Sequence, residues 1–167
     1  MQNLSELTRR LVEAQVEFVL IGGFAAVAHG ATLVTRDVDI CCRFEAGNLM
    51  RIQRALSDLH PVHRSRPDLL LDLTLEQCAR LKNLYLKTDL GALDCLGEVL
   101  GVGDFDAVLK QSVEVELPFG PCRILDLNGL IRAKEAMNRD HDRITVRQLR
   151  EIKKRQQSGP PGAGHLR

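Results

Sequence analysis

The sequence predicts an α/β fold of the α+β kind, in which helices flank one mixed β-sheet. Near its start the chain alternates strands and helices in the order βαβα, then shows three or four further strand-like segments, and then two helical ones. Such an order places helices against a single sheet. The 167 residues fit one domain, which we expect to span residues 1–155.

The first half of the chain gives the clearest periodicities. Apolar residues recur at helical spacing over residues 4–15 and 46–59, which predicts two amphipathic helices. Residues 17–21 are typical of a short buried strand, and residues 24–29 are good helix formers followed by a glycine. Residues 37–44 are predicted to form a second strand, with alternate side chains on opposite faces.

The middle of the chain is less regular. Residues 60–81 contain prolines and an apolar run, which favours a loop and a short helix. Residues 83–88 and 92–99 are predicted to be strands joined by a turn. Residues 101–112 indicate a glycine-rich turn followed by a short helix.

The last third combines a hairpin with two helices. Residues 113–117 and 122–127 alternate around a Pro-Phe-Gly-Pro turn, which predicts a β-hairpin. Residues 127–137 and 144–157 are predicted to be helices separated by a break. The segment 156–167, rich in proline and glycine, is predicted to be a disordered tail.

Charge and cysteine content indicate the compartment and the partners. The formal net charge is +1, but the charges are unevenly distributed: residues 130–167 contain ten Lys and Arg and only four Asp and Glu. This excess of positive charge fits an anionic partner or a solvated helix face. The five cysteines form no CxxC motif, which suits a reducing compartment. With no signal-like start and no apolar run long enough for a bilayer, we expect a cytoplasmic protein without membrane contact.

Two aspartates in the second predicted strand are candidate metal ligands. Asp37 and Asp39 are two residues apart, so both side chains project from one face of a strand. Two carboxylates so close repel each other unless a cation lies between them, and oxygen ligands suit Mg²⁺. The alternative is a solvent-facing strand with ordinary polar residues.

A glycine pair precedes these aspartates. Gly22 and Gly23 lie between the first strand and a helix, where they would let a phosphate approach the backbone and the helix N-terminus. The alternative is a simple tight turn. The spacing matches neither a Walker A loop nor a dinucleotide fingerprint.

A third carboxylate on a neighbouring strand would complete a two-metal site. Asp94 is the favoured candidate because it lies among apolar residues of a predicted strand. Asp72 and Asp89 are its rivals. Such a site activates an attacking oxygen and stabilises a leaving pyrophosphate.

The order of these motifs resembles a known superfamily. The chain has a hydrophobic residue with Gly-Gly, then Asp-x-Asp, then an aspartate between hydrophobic residues. This order resembles that of DNA polymerase beta-like nucleotidyltransferases, most of all the small bacterial minimal and toxin-type members. The resemblance covers residues 18–152. It implies a nucleotidyltransferase fold, a nucleoside triphosphate substrate, two Mg²⁺ ions and transfer of a nucleoside monophosphate to an acceptor.

The resemblance also implies roles for individual residues. Asp37 and Asp39 would bind both ions, and Asp94 the ion that activates the acceptor. Gly22 and Gly23 would hold the triphosphate, although many members have serine at the second position. Arg36 is a further candidate contact to phosphate, with pairing to a surface acid as its alternative. Lys134 and Arg139 are candidates too, with a solvated helix face as the alternative.

Several functions fit these predictions. The leading one is a Mg²⁺-dependent nucleotidyltransferase whose acceptor is RNA (a tRNA end), a protein hydroxyl or a small molecule. It could be the toxin of a toxin–antitoxin pair, which would give it an antitoxin-like partner. The alternatives are a catalytically inactive nucleotide-binding or partner-binding regulator and an interaction protein without a nucleotide.

Overall fold

A mixed β-sheet forms the centre of the structure, which is a computed structural model that describes residues 2–158. The strands of the large sheet are β1 (Phe18–Ile21), β2 (Asp37–Cys42), β3 (Val62–His63), β4 (Arg66–Leu70), β5 (Asn83–Thr88), β6 (Gly91–Leu96), β9 (Ser112–Leu117) and β10 (Gly120–Leu125). A separate two-stranded ribbon consists of β7 (Glu98–Val99) and β8 (Gly103–Asp104).

Seven helices flank these strands within the described residues. They are α1 (Leu4–Glu13), α2 (Gly22–Ala28), α3 (Ala46–Leu56), α4 (Leu75–Cys78), α5 (Phe105–Lys110), α6 (Leu127–Met137) and α7 (Asp140–Gln157). Helix α1 packs on α3, and α6 packs on α7. Over residues 2–158, no helix combines the length and the apolar character needed to cross a bilayer.

The strand order places β2 and β6 side by side at the centre. The order across the large sheet is β4-β3-β5-β6-β2-β1-β10-β9. The pairs β2–β6 and β1–β10 are parallel, and the other neighbouring pairs are antiparallel. The predicted mixed sheet with flanking helices is therefore confirmed.

Alternation along β2 separates the core from the candidate site. Val38 and Ile40 are fully buried on one face, whereas Asp37 and Asp39 point to the other and are half-buried. The core is built mainly from leucine, isoleucine, valine, alanine and cysteine side chains. The rigid centre of the sheet thus fixes the backbone beneath both carboxylates.

The segment 60–81 differs from its prediction. It contains the hairpin β3–β4, in which His63 pairs with Arg66 around a two-residue turn, where a loop was expected. Every residue of β4 is exposed, so this edge strand lacks the alternation of buried side chains by which strands are predicted. The expected short helix is present as α4.

Two helices also begin earlier than predicted. Helix α2 includes both glycines and begins at Gly22 rather than at residue 24. Helix α7 begins at Asp140, four residues before its predicted start, because Asp142 caps it by accepting a hydrogen bond from the Arg139 backbone N–H at 3.1 Å. Helix α7 continues to Gln157, into the predicted tail; the rest of that tail, residues 159–167, lies outside the described residues.

Candidate active site

Three aspartates from two neighbouring strands meet above the sheet. Asp39 on β2 lies directly opposite Asp94 on β6 in the parallel ladder, and Asp37 projects from the same face. One carboxylate oxygen from each residue lies within 4.8 Å of the other two. The structure therefore brings the three sequence-predicted carboxylates to one point.

The carboxylate of Asp39 is in an environment that disfavours its negative charge. Burial raises its pKa, and the neighbouring charge of Asp37 raises it further. The positive charges of Lys134, Arg64 and Arg139 act in the opposite direction but leave the pKa above its ordinary value. A cation held between the carboxylates would relieve this repulsion.

One oxygen of Asp94 is buried and paired with an arginine. Its Oδ1 atom is withdrawn from solvent. The guanidinium of Arg64 forms an ion pair with this oxygen, so a positive charge lies directly against the third carboxylate. Buried carboxylate oxygens are normally satisfied by donors or by a metal ion.

Gly22 brings the start of α2 against the carboxylates. Its backbone has φ +72°, in the left-handed region. A Cβ atom here would lie 2.9 Å from Asp39 Cβ and closer still to Oδ2, so only glycine fits without movement. At Gly23 a Cβ atom would meet Thr35 Oγ1 at 3.2 Å, a tighter approach than most side chains make.

A buried acid holds the two basic residues that were predicted to contact phosphate. The side chain of Asp142 is only 1% exposed; it accepts a hydrogen bond from Arg139 Nε at 2.6 Å and lies 3.4 Å from Lys134 Nζ. Burial alone would raise the pKa of Asp142, but the hydrogen bonds from Arg139 and the charge of Lys134 lower it to about 2. Lys134 and Arg139 are thereby fixed where their charges reach Asp39.

Comparison with known proteins concerns the fold. No protein-family model matches the sequence, and no curated protein matches it significantly. Several solved structures are similar to it, including the three that follow. One is the lincosamide antibiotic adenylyltransferase LnuA bound to lincomycin, with a TM-score of 0.61 and 16% identity over 90% of this chain and 98% of that chain.

The second similar structure is ANT(2″)-Ia in complex with adenylyl-2″-tobramycin, with a TM-score of 0.55 and 12% identity over 90% of each chain. The third is TM1012 from Thermotoga maritima, assigned as a nucleotidyltransferase, with a TM-score of 0.54 and 19% identity over 89% of this chain and 90% of that chain. The chain has the nucleotidyltransferase fold. At these identities the similarity concerns the fold alone. The assignment of the candidate site depends on the geometry of its own residues.

In this nucleotidyltransferase fold, the rivals of Asp94 lie outside the carboxylate cluster. Asp89 lies in the turn between β5 and β6 and pairs with His60 Nδ1 at 2.6 Å. Asp72 is exposed in the segment after β4. Neither belongs to the group of mutually close carboxylates, so the geometry favours Asp94.

Arg36 is exposed immediately before β2. Among residues 2–158 it forms no ion pair. Neither a surface acid nor the carboxylate cluster holds its guanidinium, so its contact with phosphate stays a prediction.

An open cavity of about 330 Å³ adjoins the cluster on the β5–β6 side. Asp37 and Arg64, which belong to the site, line it together with Lys87, Thr88 and Asp89. Its volume falls at the lower end of the range for small-molecule sites.

Sequence reasoning missed two charged residues of this site. Arg64 enters from the unpredicted hairpin, and no local pattern in the sequence marks it. Asp142 does have a local signal, because it stands three residues after Arg139 at the capping position of α7, but the helix was predicted to begin after it.

Proposed function

We propose that the protein is a Mg²⁺-dependent nucleotidyltransferase that transfers a nucleoside monophosphate from a nucleoside triphosphate to an acceptor hydroxyl. The observation that carries this proposal is the convergence of Asp37, Asp39 and Asp94, whose carboxylate oxygens lie within 4.8 Å of one another. The nucleotidyltransferase fold supports it, since similar structures include LnuA and ANT(2″)-Ia.

The residues present fit Mg²⁺. The donor set consists of carboxylate oxygens only, which is the chemistry that Mg²⁺ selects. The buried Oδ1 of Asp94 already lies against a cationic group, the guanidinium of Arg64, as an oxygen at a cation site would. Asp37 and Asp39 would hold two ions, and Asp94 would share the ion nearer the acceptor. When bound, the ions supply charge stabilisation to the attacking and leaving oxygens.

The chain's own residues position the reactants. Gly22 and Gly23 would hold the triphosphate at the start of α2, where Gly22 lies directly against Asp39. Lys134 and Arg139, fixed by Asp142, would face its negative charge, with Arg36 as a further contact. The acceptor oxygen would attack the α-phosphorus, the bond to pyrophosphate would break, and Asp94 would accept the acceptor's proton.

The structure favours a small-molecule acceptor over RNA or protein. The cavity beside Asp37 is of small-molecule size. The basic residues of α7, which fit an anionic partner such as RNA, are partly neutralised: Arg150 pairs with Glu135, and Arg143 with Asp140. LnuA was solved with lincomycin and ANT(2″)-Ia with adenylyl-2″-tobramycin. A role as a toxin with an antitoxin-like partner stays a prediction.

The test is a transfer assay with each of the four nucleoside triphosphates labelled at the α-phosphate. Acceptor pools would be lincosamide and aminoglycoside panels, total RNA and total protein, each with Mg²⁺ or with EDTA. We expect label on an acceptor with the wild type, and no label with Asp39→Asn, with Asp94→Asn or with EDTA. Asp68→Asn is the matched control, because Asp68 is an exposed aspartate that pairs with Arg66 rather than with the cluster.

Two results would count against this function. Binding of a nucleoside triphosphate without transfer to any pool would favour the catalytically inactive regulator. Absence of triphosphate binding in the presence of Mg²⁺ would favour an interaction protein.

A further inference from the structure

Arg64 reaches the carboxylate cluster from the turn between β3 and β4. Its backbone N–H donates to the Tyr85 carbonyl at 2.9 Å, which ties the turn to β5. Tyr85 is paired with Asp94 across β5 and β6. The guanidinium passes over the Tyr85 ring, 5.8 Å from its centroid, and forms an ion pair with Asp94. The arginine is therefore aimed at the third carboxylate by backbone pairing.

The contact joins a buried oxygen to a partly exposed cation. Asp94 Oδ1 is withdrawn from water, whereas the side chain of Arg64 is 41% exposed. An ionised oxygen that has lost its water is costly unless a positive charge lies close to it. Arg64 supplies that charge to Asp94.

One guanidinium does not neutralise three carboxylates. Lys134 and Arg139 also act on Asp39, but both are engaged with Asp142. The cluster therefore keeps an excess of negative charge. A divalent cation that contacts all three carboxylates has a stronger attraction to them than a single guanidinium.

The Arg64 side chain borders free space into which it can move when it leaves Asp94. The side chain lines the cavity of about 330 Å³ together with Asp37 and with Asp89, whose carboxylate is paired with His60 on the exposed side of the turn. The main-chain bond to Tyr85 does not involve the guanidinium, so the side chain can move while the turn stays in place.

We propose that Arg64 is a built-in counter-ion that competes with a divalent cation for Asp94 and leaves this carboxylate when the cation binds. The inference rests on the proposed function, because it requires Asp94 to be a metal ligand. Arg64 lowers the affinity for the cation at Asp94, and it stabilises the cluster when no cation is bound.

The experiment measures Mn²⁺ binding by the electron paramagnetic resonance signal of the free ion. Arg64→Gln should bind Mn²⁺ about two- to fivefold more tightly than the wild type, the effect of removing a partly exposed ion pair. In EDTA the same variant should have a lower Tm, and Mn²⁺ should raise that Tm by more than in the wild type. A merely structural role would not increase the affinity.

Arg66→Gln is the matched control. Arg66 lies in the same hairpin, is 64% exposed on its side chain and pairs with Asp68 rather than with the cluster. Its substitution should leave Mn²⁺ affinity unchanged. Arg64→Lys keeps the charge but loses the planar fork, so it should bind Mn²⁺ with an affinity between those of the wild type and Arg64→Gln.

Equal or weaker Mn²⁺ binding by Arg64→Gln, with normal binding by the wild type, would overturn the inference and leave the metal site standing. Should Arg64→Gln fail to fold, Arg64→Lys decides the question, and unchanged affinity in that variant contradicts the competition. If the wild type binds no Mn²⁺, the inference fails. The transfer assay with Asp39→Asn tests the proposed function separately.

Discussion

Gly22 and Asp39 are packed so closely that a Cβ atom on the glycine would lie 2.9 Å from Asp39 Cβ. The close approach depends on the left-handed backbone of Gly22. It sets the start of α2 directly beside the carboxylate cluster. The glycine therefore has both a conformational and a steric reason to be present.

The first prediction is that Gly22→Ala removes metal binding. The substitution forces Asp39 to move, and the left-handed conformation costs about 1–2 kcal/mol for a residue with a Cβ atom. We expect lower stability in urea denaturation and no rise in Tm on addition of Mg²⁺.

Gly120→Ala separates the two effects of this substitution. Gly120 also has a positive φ, +123°, but a Cβ atom there meets nothing within 4 Å. Gly120→Ala should lose stability and keep the Mg²⁺-induced rise in Tm. If Gly22→Ala also kept that rise, the glycine would have no part in shaping the metal site.

The second prediction is that Asp39→Asn stabilises the metal-free protein but abolishes its response to Mg²⁺. The raised pKa of Asp39 means that its ionised form disfavours folding at neutral pH, so a neutral side chain relieves burial and repulsion by Asp37. At a hundredfold excess over Kd, Mg²⁺ should stabilise the wild type by about 2.7 kcal/mol. It should not stabilise the variant.

Urea denaturation in EDTA and in Mg²⁺ measures both effects of Asp39→Asn. Asp68→Asn, far from the cluster in the strand order and exposed, should change neither value. A destabilised Asp39→Asn in EDTA would show that the carboxylate makes favourable contacts that outweigh the repulsion.

The third prediction concerns the cysteines, all five of which are free and buried. Burial raises the pKa of Cys41 to about 12 and that of Cys122 to about 11, so almost no thiolate is present at pH 7. A chromogenic disulfide reagent should react with fewer than about one thiol per folded chain within minutes. All five should react in urea, and rapid reaction of two or more in the folded protein would contradict this burial.

The sequence predicted the carboxylate cluster because its determinants are local. Alternation within β2 places Asp37 and Asp39 on one face, and apolar neighbours mark the strand of Asp94. Parallel pairing of β2 with β6 then aligns Asp39 with Asp94, and this step follows from the sheet rather than from either segment alone. The cluster could therefore be predicted once both strands had been recognised, but the alignment of Asp39 with Asp94 could not.

Arg64 was not predictable because the determinants of its position are not local. Its position depends on an exposed edge hairpin and on pairing with β5, and neither leaves a periodic pattern of apolar residues. Asp142 is an intermediate case. Its bond to Arg139 is local, but its burial comes from the packing of α6 on α7.

The fourth prediction is that Asp142 dominates the loss of stability in acid. Its pKa is lowered from 3.8 to about 2 in the folded protein. The unfolded chain therefore binds more protons between these values, so the stabilisation is complete above about pH 4 and is lost as the pH falls towards 2. At neutral pH the shift corresponds to about 2 kcal/mol, which Asp142→Asn should remove.

Urea denaturation at several pH values between 2 and 7 tests this assignment. Asp142→Asn should be less stable than the wild type at pH 7 and should show a flatter decline below pH 4. Asp140→Asn is the control. Asp140 lies in the same first turn of α7, but its side chain is fully exposed, and its ion pair with Arg143 Nη1, at 3.5 Å, is a surface contact. The substitution should change stability by less than about 0.5 kcal/mol. An unchanged decline in Asp142→Asn would mean that other carboxylates govern the acid transition.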